Sequence, residues 1–94
     1  MNQADCLALI PNVRHLEAAY DGSKTDWDEG PVRGQVWAET GNPVDTTIWF
    51  STFQYTHPRT NARYEGDTND SRTEVATDAT EAKRQALLKL AAML

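Results

Sequence analysis

Three sets of residues have side-chain types that could do chemistry. Cys6, His15 and His57 supply a thiol and two imidazoles, the ingredients of base-assisted nucleophilic attack. No orienting carboxylate or oxyanion donor stands at a diagnostic spacing from them. The chain also lacks a phosphate-cradling glycine loop, an H-E-x-x-H pair and any Cys/His metal spacing, so neither a catalytic residue nor a cofactor is expected. Asp67, Asn69, Ser71 and Asp78 fall at positions 1, 3, 5 and 12 of a calcium loop. There, however, Arg72 occupies the place of the turn glycine, Asp78 that of the bidentate glutamate, and no helix leads in; no metal is expected. The third set is acidic. Asp26, Asp28 and Glu29 surround Trp27, and Glu65, Asp67, Asp70 and Glu74 form a second carboxylate-rich stretch. An indole between two aspartates combines a large apolar area with a polar setting, the composition of an interface anchor. The chemistry these residues suit is recognition rather than catalysis.

Overall charge points the same way. Fourteen acids against nine bases leave a net charge of −5, which disfavours a duplex-binding surface and suits steering toward a basic partner. The 94 residues fit one domain. A single cysteine excludes an internal disulfide. No apolar run is long enough to cross a bilayer, and Met1-Asn2-Gln3-Ala4-Asp5 carries no basic leader region, so a cytoplasmic protein without membrane attachment is expected.

The elements that must position these residues follow from periodicity. Asp78 and Glu81 form a capping-box pair opening a helix to Leu94. Its apolar stripe is Ala79, Ala82, Ala86, Leu87, Leu90, Met93 and Leu94, with Lys83, Arg84 and Lys89 off its centre. Near the N-terminus the spacing of Val13, Leu16 and Tyr20 predicts a helix from Pro11 to Tyr20, stopped at Asp21-Gly22. Ser23 to Pro31 has no period and reads as an exposed loop. Val32, Gly34, Val36 and Ala38 alternate with Arg33, Gln35, Trp37 and Glu39, predicting a strand that the turn Thr40-Gly41-Asn42-Pro43 ends. Asp45 to Thr56 is the densest β-forming stretch: Ile48 and Phe50 point one way, Trp49, Phe53 and Tyr55 the other. Polar residues His57 to Ser71 read as a loop, and Arg72 to Ala76 as a last strand. The expected fold is α+β: a three-stranded antiparallel sheet with N- and C-terminal helices packed on one face, in the order α-β-β-β-α.

Two resemblances follow from this order. The closing T-D-A-T-E-A-K-R-Q-A-L-L-K-L resembles the last helix of double-stranded-RNA-binding domains, with Lys83 at one basic position. Asp78, Ala79 and Thr80 stand where that family places paired lysines, so direct nucleic-acid binding is not expected. Ala76, Asp78, Glu81, Ala82, Arg84, Ala86 and Leu87 follow a motif like A-x-D-x-x-E-A-x-R-x-A-L, similar to that of small phage-encoded α/β sandwich proteins, the anti-CRISPR inhibitors of host defence among them. This second resemblance implies a non-enzymatic inhibitor that binds a bacterial protein complex with a basic surface, such as a CRISPR effector, and blocks a nucleic-acid-binding or recruitment surface. Asp26, Trp27, Asp28, Glu29, Trp37, Glu65, Asp67, Asp70 and Glu74 are then the expected contact residues. The alternatives are an RNA-binding module using Lys83 and Arg84, and a homodimeric structural phage protein joined through the sheet face bearing Trp49, Phe53 and Tyr55.

Overall fold

The computed structural model describes residues 1–40 and 46–94. Helix α1 spans Gln3–Leu9 and a 3-10 turn Ile10–Asn12; strands β1 (Thr25–Asp28), β2 (Val32–Thr40), β3 (Thr47–Thr56) and β4 (Arg63–Asp67) follow, and helix α2 (Ala79–Met93) closes the chain. The strands pair antiparallel in chain order, so the sheet has four strands where three are expected. The turn at Gly41, Asn42 and Pro43 lies outside the described residues.

The alternation in β2 and β3 settles which face is inside. Val32, Gly34, Val36 and Ala38 are buried, as are Trp49, Ser51, Phe53 and Tyr55, and their strand neighbours are more exposed. Helix α2 lies on that inner face. It begins at Asp78, whose carboxylate accepts from Glu81 N–H at 2.7 Å. The reciprocal half of the capping box does not form, because the Glu81 carboxylate turns forward to Arg84 and Gln85. Ala79, Ala82, Ala86 and Ala91 are small enough to bring the helix backbone close to the strands, and Leu87 and Leu90 fill the remaining depth with no exposed surface. Each fully buried leucine contributes about 2 kcal/mol. Met93 differs from expectation: it projects past the sheet and is 47% exposed.

The N-terminal helix lies earlier than its spacing suggests. Asn2 and Asp5 form a complete capping box, and Pro11 sits in the following 3-10 turn, ending the helical run. Helix α1 packs on α2, with Cys6 Sγ 3.3 Å from the Leu87 carbonyl oxygen and Gln3 Nε2 donating to that of Ala91 at 2.9 Å. Val13 to Ala19 is an irregular strap. It is tied down by side chains: Leu16 N–H donates to Thr80 Oγ1 at 2.9 Å and the Lys83 ammonium to the Arg14 carbonyl at 3.2 Å. Val13 is buried, whereas Tyr20 is 73% exposed and rests edge-on against Trp49.

Two further elements correct the sequence reading. Within the expected loop of residues 57–71, Arg63–Asp67 forms β4, joined to β3 by a tight hairpin in which His57 N–H donates to the Ala62 carbonyl and Asn61 takes a left-handed φ of 59°. Arg72 to Ala76 is not a strand; only the bridge between Trp49 and Ala76 remains of it. Thr25–Asp28 is a strand where an exposed loop is expected: three of its four residues are polar or acidic, and an edge strand needs an apolar residue only on its covered side.

Candidate partner-binding surface

Trp27 is placed by a gap in its neighbour. It pairs across β1 and β2 with Gly34, whose missing side chain leaves room for the indole on the inner face of the sheet. There the Nε1–H donates to Ser51 Oγ at 2.8 Å, and the Ser51 hydroxyl donates onward to the Thr52 carbonyl at 2.8 Å. Trp27 is 5% exposed, so the expectation that it projects as a contact anchor is corrected. Facing inward, it forms part of the core.

Glu29 is also turned in. Its carboxylate pairs with the Lys83 ammonium and accepts from the Arg14 N–H at 3.1 Å, while Lys83 Nζ lies 5.4 Å from the centre of the Trp27 ring. The Lys83 side chain is 3% exposed and that of Glu29 11%. One lysine thus joins α2, the strap and the β1–β2 turn. Burial pushes the Glu29 carboxyl up, but the hydrogen bond from Lys83, that from Arg14 N–H and both cationic charges outweigh it, holding the group below its ordinary value of 4.5.

A depressed folded-state value means that the unfolded chain binds this proton more tightly. The stabilisation is therefore fully present above pH 4.5 and is lost as pH falls below it. Thermal melts of the wild type should be flat from neutral pH down to that point and fall below it. Glu29→Gln should start lower at neutral pH and decline less steeply on acidification. Equal slopes for the two proteins would contradict the assignment.

The remaining acidic residues separate into two groups. Asp26 and Asp28 of β1, Trp37 of β2, and Glu65 and Asp67 of β4 stand on the outer face of the sheet, opposite α2. Asp70 and Glu74 lie in the connection before α2, where they line a cleft with Ile48 and Phe50 at the start of β3. Hydrogen bonds from the Arg72 backbone and guanidinium and from Lys89 hold the Asp70 carboxyl well below the usual carboxylate range. Five of the nine expected contact residues thus share the outer face, Asp70 and Glu74 border it beside Ile48 and Phe50, and Trp27 and Glu29 are turned inward.

Phe50 and Ile48, which the sequence did not single out as contact residues, complete the outer face beside Trp37. Trp37 and Phe50 pair across β2 and β3 with ring centres 5.6 Å apart, and Ile48 lies beside them, paired with Glu39. All three apolar side chains are partly exposed. The Trp37 Nε1–H donates to Glu39 at 3.2 Å, and the Lys24 ammonium lies 5.3 Å from the Trp37 ring centre. Beside this patch a cleft of about 430 Å³ opens where the β2–β3 ladder is interrupted; Asp26, Asp28, Arg33, Gln35, Thr52 and Gln54 line it. Gln35 N–H there donates to the Thr52 hydroxyl instead of a strand carbonyl, and its side-chain amide donates to Asp26 at 2.7 Å. Counting the outward positions of all four strands, Asp26, Asp28, Glu39, Glu65 and Asp67 stand against Arg33 and Arg63.

Of the two alternative surfaces, one is covered and the other is partly engaged in ion pairs. The face bearing Trp49, Phe53 and Tyr55 is covered by α2, with those residues 4%, 1% and 1% exposed, so it is no dimer interface. Of the basic residues that would meet RNA, Lys83 is buried against Glu29, whereas Arg14, Arg84 and Lys89 pair with Glu29, Glu81 and Asp70 nearer the surface, their side chains 72%, 38% and 33% exposed. Asp78 caps α2 and Asp67 accepts from Asn69 N–H, so the two acids of the calcium pattern serve local backbone. Among the described residues no cluster of three or more His, Cys, Asp or Glu side chains could hold a metal ion, and no helix is long and apolar enough to cross a membrane.

Fold and surface together define an α+β domain: a four-stranded antiparallel sheet covered by helix on one face, with no described helix or strand on the other. No protein-family model, curated protein or solved structure matches the chain.

Proposed function

We propose that the chain is a small, acidic, non-enzymatic phage protein that lays the bare face of its sheet on a basic surface of a bacterial defence complex, a CRISPR effector in particular. In doing so it blocks a surface that the effector needs for nucleic acid or for recruitment. One observation carries this reading: five carboxylates and two guanidiniums share with the partly exposed Trp37–Phe50–Ile48 patch a face that no described helix covers. A flat face rich in carboxylates presents to a cationic groove the same sign of charge as a phosphate backbone, and the aromatic pair supplies the desolvated centre that fixes affinity. The likeness of the α2 motif to phage inhibitors supports the phage origin and the choice of effector.

The test is plaquing of a CRISPR-targeted phage on a host that expresses the chain. Wild type should restore plaques. Trp37→Ala combined with Phe50→Ala should abolish the restoration while the protein still folds, with a native circular dichroism spectrum and a cooperative melt only modestly lowered, since both rings lie outside the core. Absence of restoration by the wild type on hosts carrying different CRISPR systems would refute the reading.

A further inference from the structure

The two edges of the sheet differ in how they would meet a second copy of this chain. On β4, the hydrogen bond from His57 N–H to the Ala62 carbonyl and that from Thr68 N–H to the Ser51 carbonyl fix the phase of the ladder. With the register Tyr55–Tyr64 and Phe53–Gly66, the backbone groups of Tyr64 and Gly66 face β3, and those of Arg63, Glu65 and Asp67 point away from the sheet. No described strand pairs with them. Lys89 Nζ donates to the Asp67 carbonyl at 2.7 Å and so blocks the far end only.

We infer that β4 is a self-association edge, at which two copies join antiparallel about Tyr64 to make one continuous eight-stranded sheet. A two-fold axis at Tyr64 sets Arg63 of each copy opposite Glu65 of the other, in the positions that exchange backbone hydrogen bonds. Each of these side chains is now only in an exposed pair within its own strand, at 3.4 Å, with 60% and 59% of its surface open. The two Tyr64 rings meet in the closer, non-hydrogen-bonded pair, each already stacked on its own Tyr55 at 5.9 Å.

Other arrangements are disfavoured by charge. An axis at Glu65 would oppose two glutamates and require the Asp67 carbonyl that Lys89 holds. Along β1 the bond from Glu29 N–H to the Val32 carbonyl puts Asp26 and Asp28 at the outward positions. A symmetric pair there would set aspartate against aspartate, and the Asp28 carbonyl already accepts from Arg14. The inference does not depend on the partner proposed above: Arg63 and Glu65 stand on the outer face as well as at the β4 edge, but self-association is read from the chain alone.

Sedimentation equilibrium from micromolar to millimolar concentration tests it. The wild type should show a reversible monomer–dimer equilibrium. Arg63→Glu and Glu65→Arg should each be monomeric, since every cross-strand pair then carries like charges, and the two substitutions together should restore the dimer by regenerating the pairs in reverse. Tyr64→Cys should form an interchain disulfide under mild oxidation more readily than Glu65→Cys, because residue 64 lies opposite its own copy across the two-fold, in a non-hydrogen-bonded pair that suits disulfide geometry, whereas residue 65 lies opposite Arg63. A monomeric wild type throughout, a dimer indifferent to the single charge reversals, or faster cross-linking of Glu65→Cys would overturn the inference.

Discussion

Gly34→Ala is expected to destabilise the protein by about 3 kcal/mol or more, at the upper end of what added atoms cost in a packed interior. A β-carbon at this position would overlap the Thr52 carbonyl oxygen and come within 2.7 Å of two ring carbons of Trp27. The first obstacle is backbone and the second is an indole held by Ser51, so neither can give way as a flexible side-chain end would. The indole would have to leave its slot, breaking the bond to Ser51 and uncovering the site where Lys83 lies against it. Urea denaturation followed by tryptophan fluorescence should show both the lowered midpoint and a red-shifted native emission. Gly22→Ala provides the comparison. It has a φ of +83° and no neighbour within 4 Å, so only the backbone term of about 1 kcal/mol applies. Equal effects at the two glycines would show that Trp27 does not occupy the slot over Gly34.

Lys83→Met should cost about 3 kcal/mol, the range found when one member of a buried ion pair is removed. Methionine keeps much of the side-chain volume but leaves the Glu29 carboxylate with Arg14 as its remaining cation, and it deprives the Arg14 carbonyl of a donor. The strap should then loosen from α2, so amide exchange should rise at Arg14 and Leu16 before the sheet is affected. Adding Glu29→Gln removes the stranded charge and should return part of the loss, giving a coupling energy above about 1 kcal/mol in the double-mutant cycle. Additive losses would mean that the two side chains do not depend on each other.

Much of the scaffold was legible before the structure. Asp78 and the alanine and leucine spacing marked α2, and the period of two marked β2 and β3, because in those segments one rule acts alone. Legibility failed where two rules compete. Val13, Leu16 and Tyr20 carry a helical spacing, yet Pro11 and the Asn2–Asp5 capping box put the helix upstream, and the strap is held by tertiary bonds to Thr80 and Lys83 that no local pattern announces. Thr25–Asp28 and Arg63–Asp67 are short edge strands whose polar residues imitate loops.

The site was legible in part for the same reason. Charge and aromatic content pointed to recognition, but side-chain direction decides availability. Trp27 was the attractive anchor on composition, and only its pairing with Gly34, a relation between two strands, reveals that it faces inward. Lys83 sits in a helix whose other buried residues are mostly apolar, and its burial depends on Glu29, far away in sequence. The exposure of Ile48 and Phe50 turns on which face of β3 receives α2. Alternation divides that strand's residues into two sets without saying which one is covered.

The central claim is that contact is made by the bare sheet face and not by the acidic β1–β2 turn. Biolayer interferometry of a purified CRISPR effector complex, taken from a host in which the chain restores plaquing, against immobilised wild type and the Trp37→Ala, Phe50→Ala double variant tests it most directly. Loss of the two central aromatics should weaken binding by about thirtyfold, the scale of one interface hot spot, and the association rate of the wild type should fall as salt is raised. Unchanged affinity of the double variant, with its fold intact, would contradict the account.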